Sequence, residues 1–487
     1  MSLRGKSLKG SALLSAGEAV IYGASFVRNM ILARLLTKAD FGTAAAFAMV
    51  ITLLEFTNKL GISRFVIRDK EGAQADFIAT AHLMQFVTGV ISALLIAVAA
   101  VPLANLFGLE NHRWTMVVLA VVPVLNGLQH LDVRRFERDL RFGPSTLTEV
   151  IPQIVITLAA WPLAHWLGDF RAMLVLLIGK SVMSCVSSHW LAEQPYRWQS
   201  HRDYSIRMLK FGWPLLVTGF LMFGTLQGDQ FLVATFYTMT DLGPYAAAAA
   251  LTMAPSFVFG RIFNSVMLPV MAKVQDDPVA FHRRYRQATA VIVTFAAVCA
   301  AGMIIGSEAL MVLVYGPKYA GAGVIMAWLA ASNAYRNLRI SPALAAMAKG
   351  DSQNQMISNL WRVVALVPAL VLALAHYPVW MLACTGVVGE LLACRAAWVR
   401  LSRRDGVPLS TNLVSGMWVA GAIIFAFGID ALGVNHWNPY LAVGIAAFCS
   451  LCIGAGMVMM MPVLRHEAAI LWSRWRQTGF RRLVQRV

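Results

Sequence analysis

The residues best placed to do chemistry in this sequence are ionisable side chains inside long apolar stretches. Glu18 and Arg28, Lys180, Asp229, Arg336 and Arg339, Arg362 and Glu390 all stand in such surroundings. At bilayer depth an ionised side chain costs about 3 kcal/mol even on the lower scales, so it faces a cavity and has a partner there. Arg28, Lys180, Arg336, Arg339 and Arg362 are therefore candidate cavity-lining cations, and an excess of cation suits an anionic substrate such as a phosphate or a carboxylate. Glu18, Asp229 and Glu390 are the candidate carboxylates for ion coupling, with the proton as the first ion to test. In the stretch 332–339, Ser332, Asn333, Arg336, Asn337 and Arg339 form a polar stripe at helical spacing, too wet to face lipid. Snorkelling to a head group accounts for Arg34, Arg261 and Arg395, which stand near the ends of their segments. Glu55 and Lys59, four residues apart, neutralise each other.

Other chemistry finds no footing. Gly179-Lys180-Ser181 ends like a phosphate-binding loop, but the motif needs a glycine where Leu174 stands, and the stretch is apolar. There is no GxSxG and no H-E-x-x-H. Cys449 and Cys452 have C-x-x-C spacing without a second pair or a histidine, and all six cysteines fall within apolar runs. No catalytic residue, metal or cofactor is expected, and the chain is read as neither an enzyme nor an ATPase.

Composition says what must position these charges. Of 487 residues 58% are hydrophobic and only 13% charged, half the share usual in soluble proteins. Apolar stretches near 20 residues, long enough to cross a bilayer, recur throughout. They predict an all-α membrane bundle of fourteen helices near 12–35, 41–61, 77–104, 114–133, 146–167, 171–193, 210–235, 244–268, 288–314, 321–346, 355–376, 378–399, 413–433 and 440–463. Pro162, Pro255 and Pro368 fall within spans as potential kinks. The basic start (Arg4, Lys6, Lys9) lacks a small-residue cleavage site and reads as a retained first span.

With fourteen spans, the loops on one side carry 29 Lys and Arg and those on the other carry four, Lys38, Arg113, Arg171 and Lys318. Positive charge stays in the cytoplasm, so both termini are expected there. The net charge of +17 follows from this topology, and no nucleic-acid partner is expected. Residues 276–287 and the basic, aromatic tail from Arg465 read as interfacial helices on membrane lipid.

An internal repeat is visible. Thr37-Lys38-Ala39-Asp40-Phe41-Gly42 and Thr238-Met239-Thr240-Asp241-Leu242-Gly243 share T-x-x-D-x-G at an offset of 201 residues, each followed by an alanine run. The same offset pairs Arg28 with Asp229. Two parallel six-helix halves are predicted, 1–209 and 210–400, then two further helices in 401–463 and a cytoplasmic tail over 464–487. Substrate is expected between the halves.

Several stretches resemble the polysaccharide flippases of the multidrug/oligosaccharidyl-lipid/polysaccharide exporter superfamily. Arg34-Leu35-Leu36 through Asp40-Phe41-Gly42 is similar to the family's R-L-L-x-x-x-D-[FY]-G turn, and Arg138-Asp139-Leu140-Arg141-Phe142 to its R-[ED]-L-x-F loop. Phe211-Gly212-Trp213-Pro214 followed by Asp229-Gln230-Phe231-Leu232 resembles F-G-x-P then D-R-x-x-[IL], with Gln230 in place of the usual arginine. Leu268-Pro269 with Gln275-Asp276-Asp277, and Val314-Tyr315-Gly316-Pro317-Lys318-Tyr319, resemble two further motifs. The resemblance covers about 30–345. It implies translocation of an undecaprenyl-diphosphate-linked anionic oligosaccharide across the bacterial cytoplasmic membrane, ahead of a polysaccharide polymerase, for exopolysaccharide, capsule or O-antigen synthesis. A drug or metabolite:cation antiporter of the same superfamily and a peptidoglycan-precursor flippase are the alternatives. A membrane glycosyltransferase would call for a larger outer loop.

Overall fold

In a computed structural model the described residues are 3–58, 61–139, 141–434, 437–462 and 464–465. Every regular element among them is a helix. This is the expected outcome for a chain in lipid, where each backbone N–H and C=O must be satisfied within its own segment. Ten described helices are long and apolar enough to cross a membrane, eleven if Glu110–Gly127 and Asp132–Arg138, bent by 49°, form one span. The other three expected spans fall on Leu3–Leu35, Lys38–Asn58 and the broken pair Gly323–Leu338 and Ile340–Ala348. Length and apolarity alone therefore fix a polytopic helical bundle but not a count of fourteen. The tail beyond Arg465, and Lys59 of the Glu55–Lys59 pair, lie outside the described residues.

Three breaks share one cause. Helical runs are interrupted at Ala120, Arg339 and Ala365, each three residues before a proline (Pro123, Pro342, Pro368). Proline has no N–H for the carbonyl four residues back, and its ring crowds that carbonyl. The helices containing Pro162 and Pro255 are continuous. The segment expected to lie on the membrane at 276–287 is instead the opening of Pro278–Ile305. Asp277 caps it, its Oδ1 accepting from the backbone N–H of Val279 and Ala280 at 3.0 Å each. Phe281 and Tyr285 are consequently buried in the bundle.

The chain divides into two compact units. The first comprises 1–262, 314–319 and 363–382. Within it Leu3–Leu35 packs on Gly143–Leu167, and Arg202–Phe236 on Lys38–Asn58 and Leu366–Leu374. The two T-x-x-D-x-G copies adopt the same cap. Thr37 Oγ1 donates to Asp40 Oδ2 at 2.5 Å and Thr238 Oγ1 to Asp241 Oδ2 at 2.6 Å, while each threonine oxygen accepts the aspartate's backbone N–H. In the second copy Asp241 Oδ2 also accepts the Thr238 backbone N–H at 3.2 Å, which completes a capping box. A Cβ at Gly42 would strike the carbonyl oxygen of Met239, and one at Gly243 that of Lys38. Lys38 and Met239 are themselves 201 residues apart, so the two copies meet reciprocally, glycine against backbone.

The second unit comprises 263–313, 320–362 and 383–487. Pro278–Ile305 is its central helix and packs on Gly323–Leu338, Leu409–Ala431 and Pro439–Met460. Its buried face carries Ala288, Ala296, Ala297, Ala300 and Ala301, small residues that let helices approach closely. Apolar side chains in both units point outward, among them Val98 at 79% and Leu451 at 71% exposure. In water such surfaces would be a liability; in lipid they are the solvated face.

Candidate functional site: a buried arginine cluster

Four of the sequence-predicted residues meet in the second unit. Arg336 lies in the last turn of Gly323–Leu338 and Arg339 at the break that Pro342 imposes. Arg362 belongs to Gln353–Val364 and Glu390 to Val379–Asp405. The Glu390 carboxylate is fully buried, and three guanidinium groups converge on it. Arg336 Nε stands 2.8 Å and Arg362 Nε 3.1 Å from Oε1, and Arg339 Nε stands 3.0 Å from Oε2. Amide oxygens take further N–H groups, Asn333 Oδ1 from Arg336 at 3.2 Å and Asn359 Oδ1 from Arg339 at 3.2 Å. Of the polar stripe expected at 332–339, Ser332, Asn333 and Asn337 are buried and Arg336 and Arg339 are partly so.

Three guanidiniums on one carboxylate leave a formal surplus of two positive charges in the cluster. Charges in a dry interior are stable only when paired and hydrogen-bonded. An excess of cation of this kind, counted over the ion pairs described, suits an anion. Arginine presents a planar fork of donors matched to phosphate and carboxylate oxygens, and the set needs no metal to bind either.

The sequence reading missed the polar wall opposite. On Gln353–Val364, Asn354, Ser358, Asn359 and Arg362 are buried, while Met356, Leu360, Trp361 and Val364 face outward. This helix turns its polar face inward and its apolar face to lipid. The i, i+4, i+5, i+8 spacing was the available signal.

The remaining predicted residues lie in the first unit. Arg28, 7% exposed, donates to Asn29 Oδ1 at 3.1 Å and Ser25 Oγ at 3.3 Å. Among the described residues no carboxylate stands within ion-pair distance of it. Glu18 pairs at 2.7 Å with Arg261, which thus has a protein partner where head-group contact was expected. Lys180 and Asp229 are half-buried in Arg171–Trp190 and Arg202–Phe236. Arg34, expected to snorkel, donates to the Val314 carbonyl at 2.7 Å, while Lys318 donates to the carbonyls of Arg34 and Leu36. Arg138, from the R-[ED]-L-x-F loop, donates to the carbonyls of Val66 (2.8 Å), Ile67 (3.2 Å) and Asp69. It closes the C-terminus of Ile62–Arg68 and has a structural part.

The chain is similar to lipopolysaccharide biosynthesis protein WzxC of Escherichia coli (strain K12), 22% identical over 386 residues, 76% of each chain. It is similar to succinoglycan biosynthesis transport protein ExoT of Rhizobium meliloti (strain 1021), 22% identical over 475 residues that cover 92% of this chain and 91% of that one. Among solved structures, the lipid II flippase MurJ in an inward closed conformation superposes with a TM-score of 0.72 at 13% identity, over 92% of this chain and 98% of MurJ. At that identity the likeness establishes a shared fold. Residues 31–323 match the family model described as polysaccharide biosynthesis protein, and as that match spans more than half of the sequence, the chain belongs to the polysaccharide biosynthesis protein family.

Proposed function

We propose that the protein is a flippase that moves undecaprenyl-diphosphate-linked oligosaccharide repeat units across the bacterial cytoplasmic membrane by alternating access. The product would feed exopolysaccharide, capsule or O-antigen synthesis, with a polysaccharide polymerase acting next. The observation that carries this reading is the convergence of Arg336, Arg339 and Arg362 on one buried carboxylate within an apolar bundle. WzxC and ExoT are named for lipopolysaccharide and succinoglycan biosynthesis, and family membership supports a substrate of that class.

The arginines bind the diphosphate or an acidic sugar, and Arg28 offers a second buried cation. An arriving anion takes guanidinium N–H groups from Glu390, which is left buried with fewer partners. Its protonation relieves that cost, so anion binding and proton uptake favour each other. Glu18 and Asp229 are the other carboxylates through which an ion gradient acts, and Lys180 lines the path. We read the bundle as fourteen spans in two parallel six-helix halves, 1–209 and 210–400, followed by two helices in 401–463. The reciprocal approach of Gly42 and Gly243 supports the repeat, and the loop charges support cytoplasmic termini.

The test is export of polysaccharide in a host that depends on this protein. Arg336→Gln and Arg28→Gln should each abolish export while the protein persists in the membrane at its normal level. Normal export by both variants would remove the cationic site from the mechanism.

A further inference from the structure

A second basic site lies apart from the arginine–glutamate cluster. A cavity of about 540 Å³ opens between Gln353–Val364 and the end of Val379–Asp405, and Arg395, Arg400, Arg403 and Arg404 line it with Ile357 and Trp361. Two of these cations have structural work. Arg400 Nε donates to the buried Asp351 at 2.8 Å, and Arg404 Nη1 stands 3.2 Å from the same carboxylate. The other two do not: among the described residues no carboxylate pairs with Arg395 or Arg403, and both are exposed. Asp405 follows Arg404 but does not line the cavity.

The spacing gives the cavity a polarity. Arg395, Val399 and Arg403 recur every four residues on one helix face and all line it. At 1.5 Å per residue the two arginines lie about 12 Å apart along the axis. This reaches from the charged helix end into the apolar zone, where Trp361 is 46% exposed beside the opening. Arg403 at the helix end and Arg395 two turns further in, with Leu392 beyond them on the same helix and Ile357 and Trp361 on the facing one, match a molecule that has an anionic head and an acyl chain. A soluble anion would leave the apolar wall unused.

We propose that this cavity is a binding site for an anionic phospholipid, its phosphate held by Arg395 and Arg403 and an acyl chain lying against Trp361 and Ile357. Basic pockets between transmembrane helices recognise lipid head groups in this way. The site is separate from the transport cluster, and it makes the Gln353–Val364 helix, which carries Arg362, responsive to the lipid around it.

The experiment is native mass spectrometry of the full chain in detergent, titrated with phosphatidylglycerol or phosphatidylcholine. Phosphatidylglycerol should bind preferentially. Arg395→Gln or Arg403→Gln alone should weaken it about fivefold, and the double variant roughly thirtyfold, with phosphatidylcholine unaffected. Equal melting temperatures without added lipid establish that the variants are folded, and Arg400 and Arg404 stay in place to hold Asp351. Equal binding of the two lipids, or unchanged phosphatidylglycerol binding in the double variant, overturns the proposal. So does inorganic diphosphate binding as tightly as the lipid and being lost with it, because the acyl chain would then have no part.

Discussion

At the scale of single residues the balance of charge around Glu390 bears on stability and, in the proposed mechanism, on transport. Glu390→Gln keeps an acceptor of the same shape but removes the buried negative charge that Arg336, Arg339 and Arg362 share, leaving their guanidiniums to repel one another. Removing one partner of a buried ion pair costs about 3–5 kcal/mol. The variant should melt well below the wild type in detergent and lose export. Wild-type melting would show that Glu390 does not balance the arginines. Asp351 offers a pH readout outside the spans. The hydrogen bond from Arg400 holds its carboxyl below the ordinary carboxylate range, aided by the charges of Arg400 and Arg404. The folded state thus binds this proton less readily than the unfolded one. The resulting stability is full above about pH 4, the value for a free aspartate, and drains away as pH falls towards the depressed folded value. Between pH 6 and 3 the melting temperature of the wild type should fall more steeply than that of Asp351→Asn; parallel curves would remove this role. Most of the site was legible residue by residue, since arginines in apolar runs declare themselves. That Arg336, Arg339 and Arg362 share Glu390 was not, because the contact joins segments up to 54 residues apart and no local spacing encodes it.

At the scale of elements the structure turns on how helices begin, break and cross. Pro342 places Arg339 at a helix break, and the polar face of Gln353–Val364 supplies the opposite wall. Both features were present in the sequence as a proline and a periodicity. The crossing at Gly42 and Gly243 was not readable, although the repeat was, because a glycine by itself does not say what approaches it. Its consequence is testable. A methyl group at either position meets a backbone carbonyl oxygen, which cannot rotate aside as a side chain can, so the helices must shift. Overpacking of this kind costs about 1–3 kcal/mol. Gly42→Ala and Gly243→Ala should each reduce the yield of monodisperse protein on size exclusion and lower its melting temperature. Gly421→Ala is the control, lying mid-helix in Leu409–Ala431 with nothing near its added methyl. If Gly42→Ala and Gly243→Ala behaved like it, the reciprocal contact would carry no weight.

At the scale of the whole molecule the open quantity is the number of crossings. Hydropathy marks where apolar segments lie, and each of the fourteen expected spans falls on a helix or a helix pair. Yet a broken pair such as Gly323–Leu338 and Ile340–Ala348 crosses or turns back according to what surrounds it, which composition does not record. Loop charge supplies the independent constraint. The 29-to-4 partition of Lys and Arg exists only if every expected span crosses, because a single omission would exchange the two sides for all later loops. A reporter active only in the periplasm, inserted beside Lys318, should give signal, and one joined after Val487 should give none. A reporter active only in the cytoplasm should give the reverse at both places. With the basic N-terminal segment read as cytoplasmic, a periplasmic signal at the C-terminus would mean an odd number of crossings and would retire the fourteen-span topology. Loss of the periplasmic signal at 318 alone, with the C-terminus still cytoplasmic, would point to compensating errors on either side of that loop. The pair of insertions therefore tests the topology from both directions.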